Sequence, residues 1–115
     1  MLTVNKLKTF GADVESGLAR CMNNEAFYLK MVNMAAEDAG FERLKAEVES
    51  KEIPRIFEAA HALKGMLGNL ALTPLFQPAS EMTELARTGS DADYASLCDG
   101  IFDRLQELQA LRDES

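Results

Sequence analysis

The sequence predicts an all-α fold, an antiparallel four-helix bundle with short additional helices at its N-terminus. Apolar residues recur three and four positions apart along most of the chain, which is the spacing of the buried face of an amphipathic helix. No segment alternates apolar and polar residues as a half-buried strand does, and no hairpin dipeptide, internal repeat or low-complexity stretch appears. Helices of this kind bury their apolar faces against one another, and short connections favour antiparallel neighbours.

Length and composition indicate one globular domain over residues 1–115, with the short helices in 1–22 and the bundle in 24–112. A chain of 115 residues can bury a core without disulfides or a metal ion. Its hydrophobic fraction of 47 % and charged fraction of 27 % are those of an ordinary globular protein, and no apolar run could cross a membrane. The N-terminus shows no secretory signal, so we expect a cytoplasmic protein without a membrane partner.

The net charge of −7 disfavours nucleic acid as a partner, because phosphate backbones bind to basic surfaces. The acidic residues are scattered over the predicted polar faces, which is typical of a charge that serves solubility. Cys21 and Cys98 are isolated in apolar contexts, so we interpret them as small core residues and not as a redox pair.

Two short helices are predicted before the bundle. Thr3 can cap the first, which runs to about Thr9, and Asp13 can cap the second, which ends near Cys21. We expect both helices to lie over the bundle as lids.

The bundle begins after Asn23–Asn24, where a wide apolar face extends to about Asp38. Gly40 interrupts or kinks this pattern, which then resumes and continues to Ser50. The periodicity leaves open whether this region is one bent helix or two. In either case it should form one edge of the bundle.

The next helix should start at about Glu52, because Pro54 suits the first turn of a helix. It should end at Leu70 or Ala71, where Thr73-Pro74 signals a stop and a new N-cap. Its apolar stripe consists of Ile53, Ile56, Phe57, Ala60, Leu63, Leu67, Leu70 and Ala71.

Two more helices complete the bundle. Pro78 should distort the first turn of the helix that starts at Thr73-Pro74, and Gly89 should end that helix. Ser90 or Asp91 should then cap the last helix. That helix has the cleanest apolar stripe of the chain, formed by Tyr94, Leu97, Cys98, Ile101, Leu105, Leu108 and Leu111.

His61 is the only histidine, and helical geometry places it roughly 120° from the centre of the apolar stripe, near the solvent. Gly65 and Gly68 stack beside it at i+4 and i+7, although each glycine inside a helix costs about 1 kcal/mol relative to alanine. They would leave a flat patch that a partner could approach closely. The alternative is close helix packing, which applies more to Gly68 because it lies nearer the buried stripe. Lys64, at i+3, can bring an ammonium group toward an anion carried by the imidazole.

The segment around His61 resembles the signature of histidine-containing phosphotransfer (HPt) domains. The motif H-x-L-K-G is formed by His61, Leu63, Lys64 and Gly65, and Asn69 and Leu70 fit its continuation. The likeness extends over Leu7–Cys21, Tyr28–Asp38 and Phe41–Ala60. Met66 stands where the family usually has a small residue, and Ala71 stands where glycine is common.

The resemblance implies a helical bundle whose histidine is reversibly phosphorylated, receiving the phosphoryl group from an aspartate of one receiver domain and passing it to another. His61 would accept and donate the phosphoryl group, Lys64 would offset its charge, and Gly65 and Gly68 would form the docking surface. The implied partners are response regulator receiver domains, a hybrid histidine kinase, or both. We expect a monomer without a cofactor, since Mg²⁺ would belong to the receiver domain.

The sequence does not contain the residue patterns that metal binding, nucleophilic catalysis or kinase activity would need. One histidine and two isolated cysteines do not form a familiar zinc site, and no nucleophilic triad, phosphate-binding loop or kinase signature occurs. We therefore expect a phosphoryl carrier without kinase activity of its own and not an enzyme. The alternative is a non-phosphorylated helical adaptor that docks on receiver or kinase domains and regulates them. The coincidence of His61 with Lys64 favours the relay, because an adaptor needs the flat surface but not a nucleophile.

Overall fold

The computed structural model describes residues 1–114, and within this range it is all-helical, which confirms the predicted fold class. The helices are α1 (Val4–Phe10), α2 (Val14–Arg20), α3 (Glu25–Ala35), α4 (Ala39–Ser50), α5 (Ile53–Asn69), α6 (Thr73–Arg87) and α7 (Tyr94–Asp113). None of the helices in the described range is long and apolar enough to span a lipid bilayer.

Helices α4 to α7 form the bundle. They pack in a ring in which α4 contacts α5, α5 contacts α6, α6 contacts α7, and α7 contacts α4. The side chains between them form one continuous core that includes Leu44, Leu63, Leu75, Met82 and Ile101. Because short connections join successive helices, neighbours in the ring run antiparallel.

The region around Gly40 forms two separate helices, α3 and α4. The sequence left open whether this region is one bent helix or two. The reason for the separation is a new N-cap at Asp38, whose carboxylate Oδ2 accepts a hydrogen bond of 2.8 Å from the backbone N–H of Gly40. Gly40 therefore lies in the first turn of α4. A side chain at this position would also crowd Leu63, since an added Cβ would lie 3.0 Å from its Cδ2.

The two N-terminal helices begin at the predicted caps. Thr3 Oγ1 accepts from the backbone N–H of Lys6 at 3.1 Å, and Asp13 Oδ1 accepts from that of Ser16 at 3.2 Å. Helix α1 packs on α7, and α2 packs on α3. Gly17 permits the second contact, because an added Cβ would lie only 2.5 Å from the ring of Tyr28.

The predicted caps of the last two helices are wrong. Helix α6 begins at Thr73 itself, with Leu72 in the cap position and no side-chain cap, and it continues through Pro78 without interruption. Helix α7 is capped by Asp93, not by Ser90 or Asp91, and Asp93 Oδ1 accepts from the N–H of Ser96 at 3.0 Å.

The end of α6 explains why Ser90 does not cap α7. The N–H of Ser90 donates to the carbonyl of Leu85 at 2.9 Å, and that of Gly89, at φ +71°, donates to the carbonyl of Ala86 at 3.0 Å. These are the two bonds of a Schellman motif, in which a left-handed residue closes the end of a helix. Ser90 therefore belongs to the end of α6, and α7 starts later.

Candidate functional site

The candidate site lies on α5, which turns its apolar residues toward the core and His61 toward the solvent. Pro54 occupies the first turn of this helix, as predicted. The buried residues of α5 are Ile56, Ala59, Ala60, Leu63 and Leu67. His61 lies on the opposite side and is exposed, in agreement with the position that the helical periodicity predicts.

The imidazole of His61 stacks on the ring of Phe57, one turn earlier on α5. The ring centroids are 5.5 Å apart and the planes are inclined by 12°. Phe57 is half-buried and packs against the core, so it provides a fixed support for the imidazole. The stacking covers one face of the imidazole and restrains its orientation.

A shallow depression of about 210 Å³ lies beside His61 and joins α2, α5 and α6. It is lined by Arg20, His61, Lys64, Gly65, Gly68, Asn69 and Phe76. The structure thus brings together the four residues that the sequence selected, His61, Lys64, Gly65 and Gly68, and adds three others from the ends of α2 and α5 and from α6.

The two glycines of the depression have different surroundings. An added Cβ at Gly65 would meet nothing within 4 Å, so no internal contact requires glycine there. An added Cβ at Gly68 would lie 3.0 Å and 3.2 Å from two ring atoms of Phe76 on α6. Helix packing therefore accounts for at least part of the need for glycine at position 68, whereas no contact among the described residues accounts for it at position 65.

Arg20, at the end of α2, is a residue of the depression that sequence reasoning missed. Its Nη1 donates to the carbonyl of Gly68 at 3.0 Å and to Oδ1 of Asn69 at 3.5 Å. A cation in this position also interacts favourably with the C-terminal dipole of α5. No spacing in the sequence connects Arg20 with His61, because packing between separate helices creates their proximity.

The C-terminal end of α5 is closed by a second Schellman motif. The N–H of Leu72 donates to the carbonyl of Leu67 at 3.0 Å, and that of Ala71 donates to the carbonyl of Gly68 at 3.1 Å. Ala71 has φ +54°, a left-handed conformation in which an L side chain is strained and glycine is favoured. This backbone geometry gives a structural reason for the preference for glycine at this position.

Tyr28 of α3 completes this closed end of α5. Its buried hydroxyl donates to the carbonyl of Leu70 at 2.8 Å. Burial, with smaller contributions from Cys21 and Asp13, raises the pKa of Tyr28 to about 12, because the phenolate would lose its hydration in the core.

Lys64 and Arg20 are cations without carboxylate partners within residues 1–114. Lys64 is half-buried on α5. A hydrogen bond from Arg87 is the main cause that lowers the pKa of Glu84, and the charges of Arg87 and Lys64 add to it. No group of three or more potential metal ligands occurs among the described residues.

Fold and site together define a small helical bundle that presents one exposed histidine, supported by an aromatic ring and flanked by a lysine and an open glycine. The model of the Hpt domain family matches residues 27–114, and the chain belongs to this family. Comparisons with curated proteins and with solved structures returned no match. Hpt domains have a phosphotransfer role in two-component signalling, in which they interact with receiver domains and kinases as phosphocarriers.

Proposed function

We propose that this protein relays a phosphoryl group between aspartates of receiver domains, with His61 as the phosphorylated residue. The observation that carries the proposal is the exposed position of the only histidine, on the helix that the family motif identifies, beside Lys64 and Gly65. An exposed imidazole keeps a nitrogen lone pair near pH 7 and can attack an activated phosphoryl donor.

The transfer needs no reactant other than the aspartyl phosphate and the imidazole. One nitrogen of the neutral His61 imidazole attacks the phosphorus of an aspartyl phosphate, so the N–P bond forms while the P–O bond to the carboxylate breaks. The aspartate leaves with the bonding electron pair, and the second imidazole nitrogen keeps its proton. Transfer to the next receiver reverses these events. The stacking on Phe57 holds the imidazole ready for in-line attack, which lowers the entropic part of the barrier.

The neighbours of His61 have distinct proposed roles. Lys64 offsets the charge of the phosphoryl group, and its position one turn from His61 without a carboxylate partner in residues 1–114 supports this role. Gly65 and Gly68 contribute to the docking surface, although Gly68 also accommodates Phe76. The Mg²⁺ that assists transfer would belong to the receiver domain, so this chain would need no cofactor.

The proposed partners are response regulator receiver domains, a hybrid histidine kinase, or both. We propose a cytoplasmic monomer that carries the phosphoryl group and has no autonomous kinase activity.

The test is incubation with a panel of phosphorylated receiver domains, followed by an assay for acid-labile, base-stable phosphate. We expect phosphate on the wild-type protein and none on His61→Gln, with unchanged helicity because an exposed polar residue contributes little to stability. Glu58→Gln is the matched control, since Glu58 is an exposed residue of the same helix, and it should be labelled normally. Labelling of His61→Gln would refute the assignment. Receiver binding without any labelling of the wild type would instead support the adaptor.

A further inference from the structure

We infer that Arg20 is a docking residue that binds an acidic side chain of the receiver domain, at the opposite end of the depression from His61. This inference rests on the proposed relay function. It adds a specificity-determining residue from α2, a helix that lies outside the range 27–114 matched by the family model.

The arginine side chains of this protein show why Arg20 is distinctive. Five of the six arginines form ion pairs with carboxylates of the described chain, which are Arg43–Glu58, Arg55–Glu52, Arg87–Glu84, Arg104–Glu107 and Arg112–Glu37. Within residues 1–114, Arg20 has no such partner although the protein carries a net charge of −7. The acidic group that would neutralise it is therefore expected on another molecule.

The geometry of Arg20 suits the recognition of a carboxylate. Only Nη1 is used within the described residues, where it donates to Gly68 and Asn69. The guanidinium therefore keeps the N–H groups of Nε and Nη2 for a further acceptor. The contact with the backbone of α5 holds the planar guanidinium group, with its fork of N–H donors, in one place. Binding therefore costs less side-chain entropy than it would for a freely moving arginine.

The distance along α5 separates Arg20 from the chemistry at His61. Arg20 contacts the carbonyl of Gly68, which lies about 10 Å along the helix axis from His61 at 1.5 Å per residue. Lys64, three residues from His61 on the same helix, lies much nearer to His61 along the axis. Lys64 is therefore the cation that acts on the phosphoryl group, and Arg20 is placed to act on the protein that delivers it.

Capping of α5 is the simpler role for Arg20, and it accounts for the bond to Gly68. It does not account for the unused N–H groups or for the place of Arg20 in the depression that holds His61. The two roles differ in one measurable respect. Loss of a helix cap would change the stability of the protein and would affect transfer from any phosphoryl donor alike. Loss of a docking residue would affect only transfer from a protein donor.

The experiment compares two donors: phosphoramidate, a small donor that needs no docking, and a phosphorylated receiver domain that labels the wild-type protein. We expect Arg20→Ala to lower the second-order rate constant with the receiver about fivefold, or about 1 kcal/mol, at low ionic strength. The loss should appear mainly in KM and should shrink in about 1 M salt, where the Debye length is about 3 Å. The rate with phosphoramidate should not change.

Four further variants serve as controls. Arg20→Lys keeps the charge but loses the fork, so we expect a smaller loss than for Arg20→Ala. Tyr28→Phe removes the other side-chain bond to the end of α5 without a change of charge, and Arg104→Ala removes a cation on α7, so neither should affect receiver transfer. Lys64→Ala should slow phosphorylation by both donors.

The outcomes separate the inference from the function on which it rests. If the wild type is labelled by the receiver and Arg20→Ala is labelled equally fast, the docking role is refuted while the relay function stands. Equal losses with both donors would also overturn it, because they would assign Arg20 to the structure of the site or to the phosphoryl group and not to docking. If neither donor labels His61 of the wild type, the relay function itself fails.

Discussion

The middle of α5 and its C-terminal end differ in how tightly the rest of the protein surrounds them. Around Gly65 the surface is open, and an added Cβ would touch nothing. From Gly68 onward the helix meets the ring of Phe76, the guanidinium of Arg20 and the hydroxyl of Tyr28. Glycines three residues apart on one helix therefore have different surroundings. No internal contact requires glycine at position 65, which agrees with the proposed docking surface, whereas the ring of Phe76 restricts the side chain that position 68 can hold.

The largest expected effect concerns the closed end at alkaline pH. The pKa of Tyr28 rises from 10.0 to about 12 on folding, so its stabilising contribution is complete below pH 10 and decreases as the pH rises toward 12. We expect a loss of about 3 kcal/mol in the free energy of unfolding across this window. Urea unfolding at a series of pH values would measure it. Tyr28→Phe should lack this part of the pH dependence. If the wild type and Tyr28→Phe lose stability identically as the pH rises, the pKa of Tyr28 is not changed by folding.

Gly17→Ala should be the most damaging single substitution near the closed end. The new methyl group would lie 2.5 Å to 2.6 Å from ring atoms of Tyr28, which the bond to Leu70 holds in place. We expect a loss of about 2 kcal/mol from this overpacking, measured by thermal or urea unfolding. Gly100→Ala is the control, because Gly100 is exposed on α7 with open space around it. That control should increase the free energy of unfolding. An equal increase in Gly17→Ala would mean that the ring of Tyr28 can move aside at little cost.

Gly65→Gln tests the open region with two opposite effects. The substitution should stabilise the helix by up to about 1 kcal/mol through helix propensity. It should also reduce receiver-dependent phosphorylation about tenfold or more, because the side chain would hold the reacting atoms beyond the roughly 3 to 3.5 Å that attack requires. Thermal melts and transfer kinetics on the same sample would measure both effects.

Gly100→Gln is the matched control for this substitution, with a similar gain in helix propensity far from the site. It should leave the transfer rate unchanged. If Gly65→Gln destabilises the protein and transfers normally, Gly65 serves internal packing and the middle of α5 is not a docking surface.

The smallest expected effect is a gain in stability on substitution of Ala71. Because Ala71 has φ +54°, Ala71→Gly should relieve backbone strain and stabilise the protein by about 0.5 to 1 kcal/mol. Ala46→Gly, in the exposed interior of α4, should cost about 1 kcal/mol under the same unfolding conditions. A loss at both positions would mean that packing of the Ala71 methyl group outweighs the strain at the closed end.

Local sequence signals predicted most of the helices. Thr3 and Asp13 cap the helices that the sequence assigned to them, and Asn24 caps the helix predicted to begin after Asn23–Asn24. Such caps are readable from sequence because an N-cap bond joins residues two or three apart. The predicted cap of α7 is wrong because Ser90 closes the end of α6, so α7 starts later, where the carboxylate of Asp93 caps it. Competition between two neighbouring helix ends is not visible in residue preferences alone.

The sequence by itself determined the all-α class, the exposure of His61 and the placement of Lys64 and Gly65 on the same helix face. These features follow from backbone bonds between residues four apart, which impose one periodicity on every helix.

Only the tertiary structure decided which other residues surround the site. The contact of Gly68 with Phe76, the bond from Tyr28 to Leu70 and the arrival of Arg20 beside Asn69 all join different helices. Each depends on how whole helices pack, since the distance between two side chains on separate helices is set by the shape of the common core and not by their spacing along the chain.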